Sequence, residues 1–188
     1  PCRPINAYGE SKLMFETILK RHSDVNPNFK YCSLRYFNVA GSDIDNRVQD
    51  LHWRKKENII PKILSRVIDD KGEFKIFGTD YETADGSCIR DYIHPTDLAN
   101  AHLVCLEKNV KGVFNLGTNR GTSVWEVIKE VVSATSSEIN VVHSGRRKGD
   151  PKVLVANPTR FMKETGWEPA YKISEIIRTA YKAYRKVK

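Results

Sequence analysis

The chain has 188 residues, of which 40% are hydrophobic and 29% charged, and this length corresponds to one domain or slightly more. The composition excludes a disordered tail or a collagen-like fibre. No stretch approaches the roughly 18 apolar residues of a bilayer span, so we expect no membrane partner. The net charge of +8 suggests an anionic partner, but the basic clusters belong to no recognised nucleic-acid module, so we expect no nucleic-acid partner.

The N-terminal residues and the cysteines indicate in which cellular compartment the protein works. Residues 1–6 contain neither an apolar signal core nor an initiator methionine, so we expect no secretory signal and a natural start upstream of Pro1. The four cysteines form no C-x-x-C pair, which argues against a disulfide framework and favours the cytoplasm, where thiols stay reduced. The five histidines show no metal-ligand spacing, so we expect no metal.

Segments rich in Val, Ile, Phe and Tyr alternate with segments of helical period, which is typical of an α/β protein with a largely parallel sheet. The predicted helices cover residues 6–22, 59–70, 95–107, a segment opened by a Ser123/Glu126 capping box, 157–166, and 174 onwards. The predicted strands cover residues 31–37, 75–77, 113–116 and 139–143. A polar connection over 38–58 and a turn-rich segment over 78–87 separate these elements.

Tyr8 and Lys12 lie four positions apart on the first predicted helix, so the phenol and the ammonium share one face. A free phenol has a pKa near ~10, and a neighbouring positive charge favours the phenolate, so the pair could supply a general base near neutral pH. Tyr184 and Lys188 have the same spacing on a basic helix. Spacing alone therefore does not distinguish a catalytic pair from an ordinary helix face.

Sequence context separates the first pair from the second. The blocks NAYGESK (6–12) and LRYFNVAG (34–41) resemble the extended short-chain dehydrogenase/reductase superfamily. The block IFGTDYETADGSCIRDYIH (76–94) resembles the UDP-glucose 4-epimerase family within it. Further blocks at 97–102, 114–117 and 146–150 follow in the family's order and spacing, so the resemblance extends from residue 6 to the final helix.

The resemblance implies a fold and its division. The fold would be α/β, the C-terminal part of an NAD-binding, Rossmann-like doubly wound sheet plus a smaller substrate-binding domain. Residues 1–41 would end the dinucleotide-binding fold, and residues 42–188 would form mainly the UDP-sugar-binding domain, with the segment near 88–135 partly returning to the Rossmann-like sheet. The resemblance also implies NAD as cofactor, a UDP-sugar as substrate, and a homodimer when the protein is full length.

It further implies a role for each matched residue. Tyr8 would take the proton from the sugar 4-hydroxyl, Lys12 would bind the nicotinamide ribose and keep the phenol acidic, and Tyr36 would lie beside the cofactor. The substrate residues would be Asn38, Asn58 and Ile59 at the diphosphate, the backbone of Lys75, Ile76 and Phe77 at the uracil, Arg90 and Arg147 as a diphosphate clamp, Asp150 at the ribose hydroxyls, and Leu154 beside the sugar 2-substituent. Singly, each also fits an ordinary structural role; Arg90, for example, could form a surface ion pair with Asp91.

The sequence departs from the family in three respects. It lacks the cofactor-binding glycine turn, the first strands and the upstream Ser or Thr that precede the tyrosine block, so we expect this chain alone to bind NAD poorly and to be the C-terminal part of a longer enzyme or an inactive truncated product. Leu154 is intermediate in size where the family varies the wall beside the sugar, which favours UDP-glucose and UDP-galactose over N-acetylated sugars. Pro95 replaces an aliphatic residue.

The expected function is NAD-dependent 4-epimerisation of UDP-hexoses through a 4-keto sugar, an activity of galactose metabolism. A sister epimerase acting on UDP-N-acetylglucosamine or a UDP-pentose, or a sugar-nucleotide dehydratase, is the open alternative on the same scaffold. A non-catalytic UDP-sugar-binding fragment is the alternative of another class.

Overall fold

The structure, a computed structural model, describes residues 2–45, 58–70 and 72–186. In chain order its elements are α1 (Ala7–Val25), β1 (Cys32–Tyr36), β2 (Asn38–Val39), α2 (Ile59–Ser65), β3 (Phe74–Phe77), β4 (Ile89–Ile93), α3 (Pro95–Glu107), β5 (Gly112–Leu116), β6 (Gly121–Ser123), α4 (Val124–Thr135), β7 (Val141–Ser144), β8 (Val153–Leu154), α5 (Thr159–Thr165) and α6 (Ile173–Lys186). A π-helical turn, Arg66–Asp70, continues α2. None of the helices described is long and apolar enough to cross a membrane.

The strands pair mainly in parallel. β1 pairs with β5, β2 with β4, β3 with β7 and β4 with β8 in parallel, and β4 pairs with β6 in the antiparallel sense. Parallel neighbours need long crossover connections, which helices usually supply. The α/β fold with largely parallel strands, predicted from the alternating pattern, is confirmed.

Two helix starts follow the capping residues in the sequence. α1 begins after Asn6, whose side-chain oxygen accepts a hydrogen bond from the Gly9 amide at 2.8 Å. α4 begins at the predicted capping box, in which Ser123 Oγ accepts from the Glu126 amide at 3.1 Å and the Glu126 carboxylate accepts from the Ser123 amide at 2.7 Å. These bonds satisfy amides that have no partner within the helix.

β4 is a strand that the sequence prediction missed, and it lies between the two hydrophobic cores. Successive residues of a strand face opposite sides. Tyr92 packs in a core built mainly from α2, β3, α4 and α6, and Ile93 packs in a second core built from α3, β5 and α5. Within its sheet, β4 pairs with β2, β6 and β8. β4 therefore joins both cores through one short segment.

Asp91, in the middle of β4, holds two further segments against this strand. It is fully buried, and its carboxylate accepts hydrogen bonds from the Thr118 amide at 3.0 Å and from the Ala156 amide at 3.1 Å. A Cβ at Gly117 would lie 2.6 Å from Asp91 Oδ2, so glycine leaves room for the carboxylate. The sequence left open a surface ion pair between Asp91 and Arg90; the structure instead shows a buried, hydrogen-bonded carboxylate, as burial of a charge requires.

α1 packs least tightly of the helices described. None of its residues is buried, and Met14, Phe15 and Ile18 are 60–65% exposed. It is tied to β1 by Glu16, which accepts a hydrogen bond from Arg35 Nε at 2.6 Å.

The division into residues 1–41 and 42–188 stays a prediction. Of the predicted polar connection, β2 occupies the start, and residues 46–57 lie outside the described ranges.

Candidate functional site

A cleft of about 730 Å³ opens beside α2, β3, β4 and the segment that follows β7. Nine of the ten predicted substrate residues line it: Asn38, Asn58, Ile59, Lys75, Ile76, Phe77, Arg90, Arg147 and Asp150. The tenth, Leu154, is not among the lining residues. The fold therefore brings together residues that lie in five separate stretches of the sequence.

Arg90 is held rigidly at the side of this cleft. Its Nη1 donates hydrogen bonds to the carbonyl oxygens of Ile89 and Pro151, both at 2.8 Å. Its Nη2 lies 3.6 Å from Asp150 Oδ1, and only 14% of the side chain is exposed. The guanidinium is therefore fixed in orientation, and its charge lies beside the Asp150 carboxylate.

Arg147 is held differently. Its guanidinium lies over the Phe77 ring, with Cζ 3.8 Å from the ring centroid, and it makes no hydrogen bond or ion pair with any other residue in the described part of the chain. A guanidinium carries five N–H donors in a planar fork. Arg90 and Arg147 thus combine a fixed positive charge with a second one whose donors remain available, which suits a bidentate anion such as a diphosphate.

Arg146, directly before Arg147, does not line the cleft. Its Nε donates to Asp80 Oδ1 at 2.8 Å, and its guanidinium lies over the Tyr81 ring at 4.3 Å. This contact lowers the pKa of Asp80 and raises the pKa of Arg146. The two adjacent arginines of the basic loop therefore face different partners, and only the one matched to the family faces the cleft.

The two asparagines present amides that the fold leaves partly unused. Asn38 Nδ2 donates to the Asp91 carbonyl oxygen at 3.1 Å, which orients the amide and leaves its second N–H free. Asn58 is the N-cap residue of α2 but makes no side-chain capping hydrogen bond. Both side chains can therefore donate to a ligand without breaking a bond of the fold.

β3 offers backbone groups to the cleft. It pairs with β7 along one edge, and in the described ranges no strand pairs with its other edge. An unpaired edge presents free N–H and C=O groups. Lys75, Ile76 and Phe77 belong to this strand, so the backbone that the resemblance assigned to the uracil ring lies on a strand with a free edge.

Sequence reasoning missed eight lining residues: Lys62, Ser65, Arg66, Glu73, Phe74, Cys88, Tyr92 and Val124. Periodicity could have found three of them. Lys62 and Arg66 follow Asn58 at intervals of four along α2 and the π-helical turn that continues it, and Tyr92 follows Arg90 at the interval of two that repeats a strand face.

Tyr92 is only 5% exposed, and burial raises its pKa above the ordinary range. Its hydroxyl has no hydrogen-bond partner in the residues described.

The predicted catalytic and cofactor residues lie outside the cleft lining. Lys12 Nζ is 5.2 Å from the centroid of the Tyr8 ring, so the two side chains share one helix face as expected. Tyr8 is 72% exposed, and Tyr36, at the carboxyl end of β1, is 52% exposed. Leu154 is 44% exposed and pairs in register with Arg90 through the β4–β8 ladder. Tyr8 and Lys12 contact each other, and none of these four residues lines the cleft.

The parallel strands, crossover helices and polar cleft define an α/β protein of the Rossmann-like class. Residues 1–117 match the NAD dependent epimerase/dehydratase family. The chain belongs to this family, which confirms the resemblance inferred from the motifs around Tyr8 and Arg90.

Individual relatives carry the name UDP-glucose 4-epimerase. One from Rhizobium leguminosarum bv. trifolii is 40% identical over 182 residues, covering 95% of this chain and 55% of the relative. The crystal structure of the Brucella ovis enzyme with NAD superposes with a TM-score of 0.88 at 37% identity, over 97% of this chain and 57% of that one. The Bifidobacterium longum enzyme with NAD+ and UDP gives 0.84 at 32% identity, over 96% and 55%. This chain spans about half the length of the relatives it matches.

Proposed function

We propose that this chain forms part of an NAD-dependent 4-epimerase that interconverts UDP-galactose and UDP-glucose. The observation that carries the proposal is the cleft in which Arg90, Arg147, two asparagine amides and the free edge of β3 converge. Relatives with the corresponding name, one of them solved with NAD+ and UDP, support the same function.

In the proposed complex, the cleft residues recognise the UDP moiety. Arg90 and Arg147 neutralise the diphosphate, and the amides of Asn38 and Asn58 donate to its oxygens without the desolvation cost of further charges. The Tyr92 hydroxyl, which lines the cleft and hydrogen-bonds to none of the described residues, adds a neutral donor. None of these residues is assigned to the hexose ring, so the sugar can present either face while the nucleotide stays bound.

The exposed residues of α1 and β1 have the chemistry to hold NAD. Doubly wound folds bind ligands beyond the carboxyl ends of parallel strands, where Tyr36 lies, and the Lys12 ammonium can donate to ribose hydroxyls. When bound, NAD supplies a reversible hydride acceptor. Tyr8 would take the proton from the sugar 4-hydroxyl and later return it, with the Lys12 ammonium held 5.2 Å from the centroid of its ring.

The test is an assay of the natural protein that contains this chain, with UDP-galactose as substrate and UDP-glucose as the product measured. Tyr8→Phe should reduce kcat by at least about a hundredfold, because general acid-base catalysis contributes at least that much. Tyr181→Phe on α6 is the matched control and should leave the rate unchanged. Absence of interconversion in the unaltered protein, or full activity of Tyr8→Phe, would contradict the proposal.

A second candidate is a UDP-sugar-binding chain without turnover. The specific observation favouring it is that the cleft is assembled within these residues, whereas Tyr8 and Lys12 lie outside its lining. Calorimetry on the 188-residue chain separates the candidates: UDP binding without NAD binding or turnover supports the second, and turnover by this chain contradicts it.

The proposed substrate range rests on Leu154. Its intermediate side chain, beside Arg90 in the β4–β8 ladder, favours UDP-glucose and UDP-galactose over N-acetylated UDP-sugars. We expect Leu154→Ala to raise the ratio of kcat/KM for UDP-N-acetylglucosamine to that for UDP-glucose. An unchanged ratio would show that this position does not set the substrate range.

The proposed assembly is a homodimer in the cytoplasm, acting in galactose metabolism. The exposed apolar side chains of Met14, Phe15 and Ile18 on α1 support an interface there. The four free cysteines fit a reducing compartment. Sedimentation equilibrium of the natural protein tests the assembly, and Phe15→Glu should shift a dimer toward monomer, whereas Glu10→Gln on the same helix should not.

A further inference from the structure

The segment that carries Arg147 and Asp150 has little backbone structure of its own. This segment, residues 145–150, is called the clamp loop below. Gly78 N donates to the Ser144 carbonyl oxygen at 2.9 Å just before it, and the internal backbone hydrogen bond found in the described residues, from Asp150 N to Arg147 O, measures 3.3 Å. Gly149 adopts φ +86, and within the described residues, chain neighbours aside, no atom lies within 4 Å of a Cβ placed there or at Gly145. The backbone alone therefore does not fix the direction of the Arg147 side chain.

Arg146 fastens this loop to the turn after β3 through several contacts at once. Its Nε donates to Asp80 Oδ1 at 2.8 Å, its Nη2 donates to the Asp80 carbonyl oxygen at 2.6 Å, and its guanidinium lies 4.3 Å from the centroid of the Tyr81 ring. Tyr81 is 6% exposed and so provides a firm surface. A Cβ at Gly78 would lie 2.4 Å from Tyr81 Cε2 and 2.9 Å from Arg146 Cγ, so glycine leaves room for this socket.

We propose that Arg146 is a positioning residue that aims Arg147 into the cleft through its socket on Asp80 and Tyr81. The inference rests on the proposed function, since it assumes that Arg147 binds the diphosphate of a UDP-sugar. The two adjacent side chains diverge, Arg146 onto Asp80 and Tyr81 and Arg147 over Phe77, so fixing Arg146 directs Arg147 into the cleft. Ordering the loop before binding lowers the entropic cost of forming the complex.

A neighbouring ion pair provides a matched control. Lys152 Nζ lies 2.8 Å from Glu82 Oε2, and this pair joins the same two chain segments at a comparable distance. The backbone at Lys152 is already fixed, because its carbonyl oxygen accepts from the Ile89 amide at 2.8 Å at the start of the β4–β8 ladder. Loss of the Glu82 carboxylate should therefore leave the clamp loop in place.

The experiment measures UDP affinity by calorimetry and amide hydrogen exchange over residues 145–150, both on the 188-residue chain. Arg146→Ala and Asp80→Ala should each weaken UDP binding about tenfold and speed exchange in the clamp loop, because the loop must then be ordered on binding. The double charge exchange Asp80→Arg with Arg146→Asp should recover only part of the affinity, because aspartate at position 146 cannot reproduce the contacts with the Tyr81 ring and the Asp80 carbonyl oxygen. Glu82→Ala should stay within about twofold of the unaltered chain, because the Ile89 amide already fixes the backbone at Lys152.

The outcomes separate this inference from the proposed function. If the unaltered chain binds no UDP, the proposed function fails, and the exchange measurement alone decides whether Arg146 orders the loop. If the unaltered chain binds UDP and Arg146→Ala binds it equally well, with unchanged exchange in the clamp loop, the positioning role is wrong. Equal losses in Arg146→Ala and Glu82→Ala would also overturn it, because they would indicate a general effect of surface charge.

Discussion

The Arg147 guanidinium rests on the Phe77 ring, with its Cζ 3.8 Å from the ring centroid. Phe77 ends β3, a strand that lines the cleft, and Arg147 belongs to the loop after β7, which pairs with β3. The arginine thus gains a cation–π contact while all its N–H donors stay available. One residue pair therefore connects the region proposed for the base with the region proposed for the diphosphate.

Arg147→Ala should weaken UDP binding by about ten- to a hundredfold, since hydrogen bonds to charged groups contribute about 1.5–3 kcal/mol. Stability should change little, because the side chain is exposed and hydrogen-bonds to no described residue. Calorimetry with UDP and urea unfolding measure both effects. Arg160→Ala is the matched control, because Arg160 also stacks on a phenylalanine, Phe114, at 4.4 Å and lies outside the cleft. If Arg147→Ala and Arg160→Ala bind UDP with equal affinity, Arg147 does not bind the diphosphate.

Tyr92→Phe should reduce UDP affinity about three- to tenfold while leaving the free energy of unfolding within about 0.5 kcal/mol, because its hydroxyl bonds to nothing in the described fold. Tyr81→Phe is the control: the Tyr81 hydroxyl is buried, hydrogen-bonds to none of the described residues and lies outside the cleft lining. It should bind UDP normally. If Tyr92→Phe and Tyr81→Phe both bind UDP as tightly as the unaltered chain, the Tyr92 hydroxyl does not contribute to UDP binding.

Capping residues in the sequence predicted where two helices begin, because neighbouring residues determine a helix start. Asn6 and the Ser123/Glu126 box mark helix starts through side-chain hydrogen bonds to nearby amides, which depend only on neighbouring residues. β4 was missed because Arg90 and Asp91 interrupt its apolar pattern. Asp91 is tolerated there through amides of Thr118 and Ala156, which lie far away in sequence and carry no local mark.

In the cleft, too, features set by residues distant in sequence escaped prediction from local patterns. Its matched residues came from family motifs, whereas Tyr92 and Lys62 could have been predicted only by combining those motifs with strand and helix periodicity. The different directions of Arg146 and Arg147 depend on Asp80 and Tyr81, residues about 65 positions earlier in the chain. No local pattern in an Arg-Arg-Lys run distinguishes an anchoring arginine from a ligand-binding one.

His94 is a buried histidine held in its neutral form. Its Nδ1 accepts a hydrogen bond from the Thr96 amide at 3.2 Å, so the proton of the neutral ring belongs on Nε2, which lies 3.1 Å from Thr179 Oγ1. Burial lowers the pKa of His94 below its ordinary value of 6.5, and this effect outweighs the opposing charges of Asp97 and Glu175. A second proton would have to enter on Nδ1, facing the Thr96 N–H.

The pH dependence of stability follows from that lowered pKa. The unfolded chain takes up a proton at this histidine as the pH falls through about 6.5, whereas the folded chain resists protonation to lower pH. The free energy of unfolding should therefore fall between pH 7 and pH 5, by at most about 1.4 kcal/mol per unit from this group. Urea unfolding across that range should give a shallower slope for His94→Asn than for the control His102→Asn. Equal slopes would contradict the assignment.

The cysteines should differ sharply in reactivity, because the thiolate is the reactive form. Burial and the nearby Cys105 thiol, whose Sγ is 3.4 Å away, raise the pKa of Cys32 to about 12, and burial raises the pKa of Cys88. Cys2 is exposed. Iodoacetamide at pH 7.5 should label Cys2 within minutes and the other three only after unfolding, as measured by mass spectrometry of peptides. Rapid native labelling of Cys32 or Cys88 would show that their surroundings are more open than the structure indicates.

Asp91→Asn should destabilise the fold by about 2–4 kcal/mol, because either orientation of the new amide places its NH₂ group against an N–H donor. The Thr118 amide lies 3.0 and 3.1 Å from the two carboxylate oxygens, and the Ala156 amide bonds to Oδ2, so neither oxygen can become a donor without losing a bond. Asp24→Asn is the control; it breaks an exposed ion pair with Lys20 and should cost less than about 1 kcal/mol. Urea unfolding followed by circular dichroism measures both variants. A cost for Asp91→Asn no larger than that for Asp24→Asn would mean that Asp91 does not join β4 to the β5–β6 turn and the end of β8.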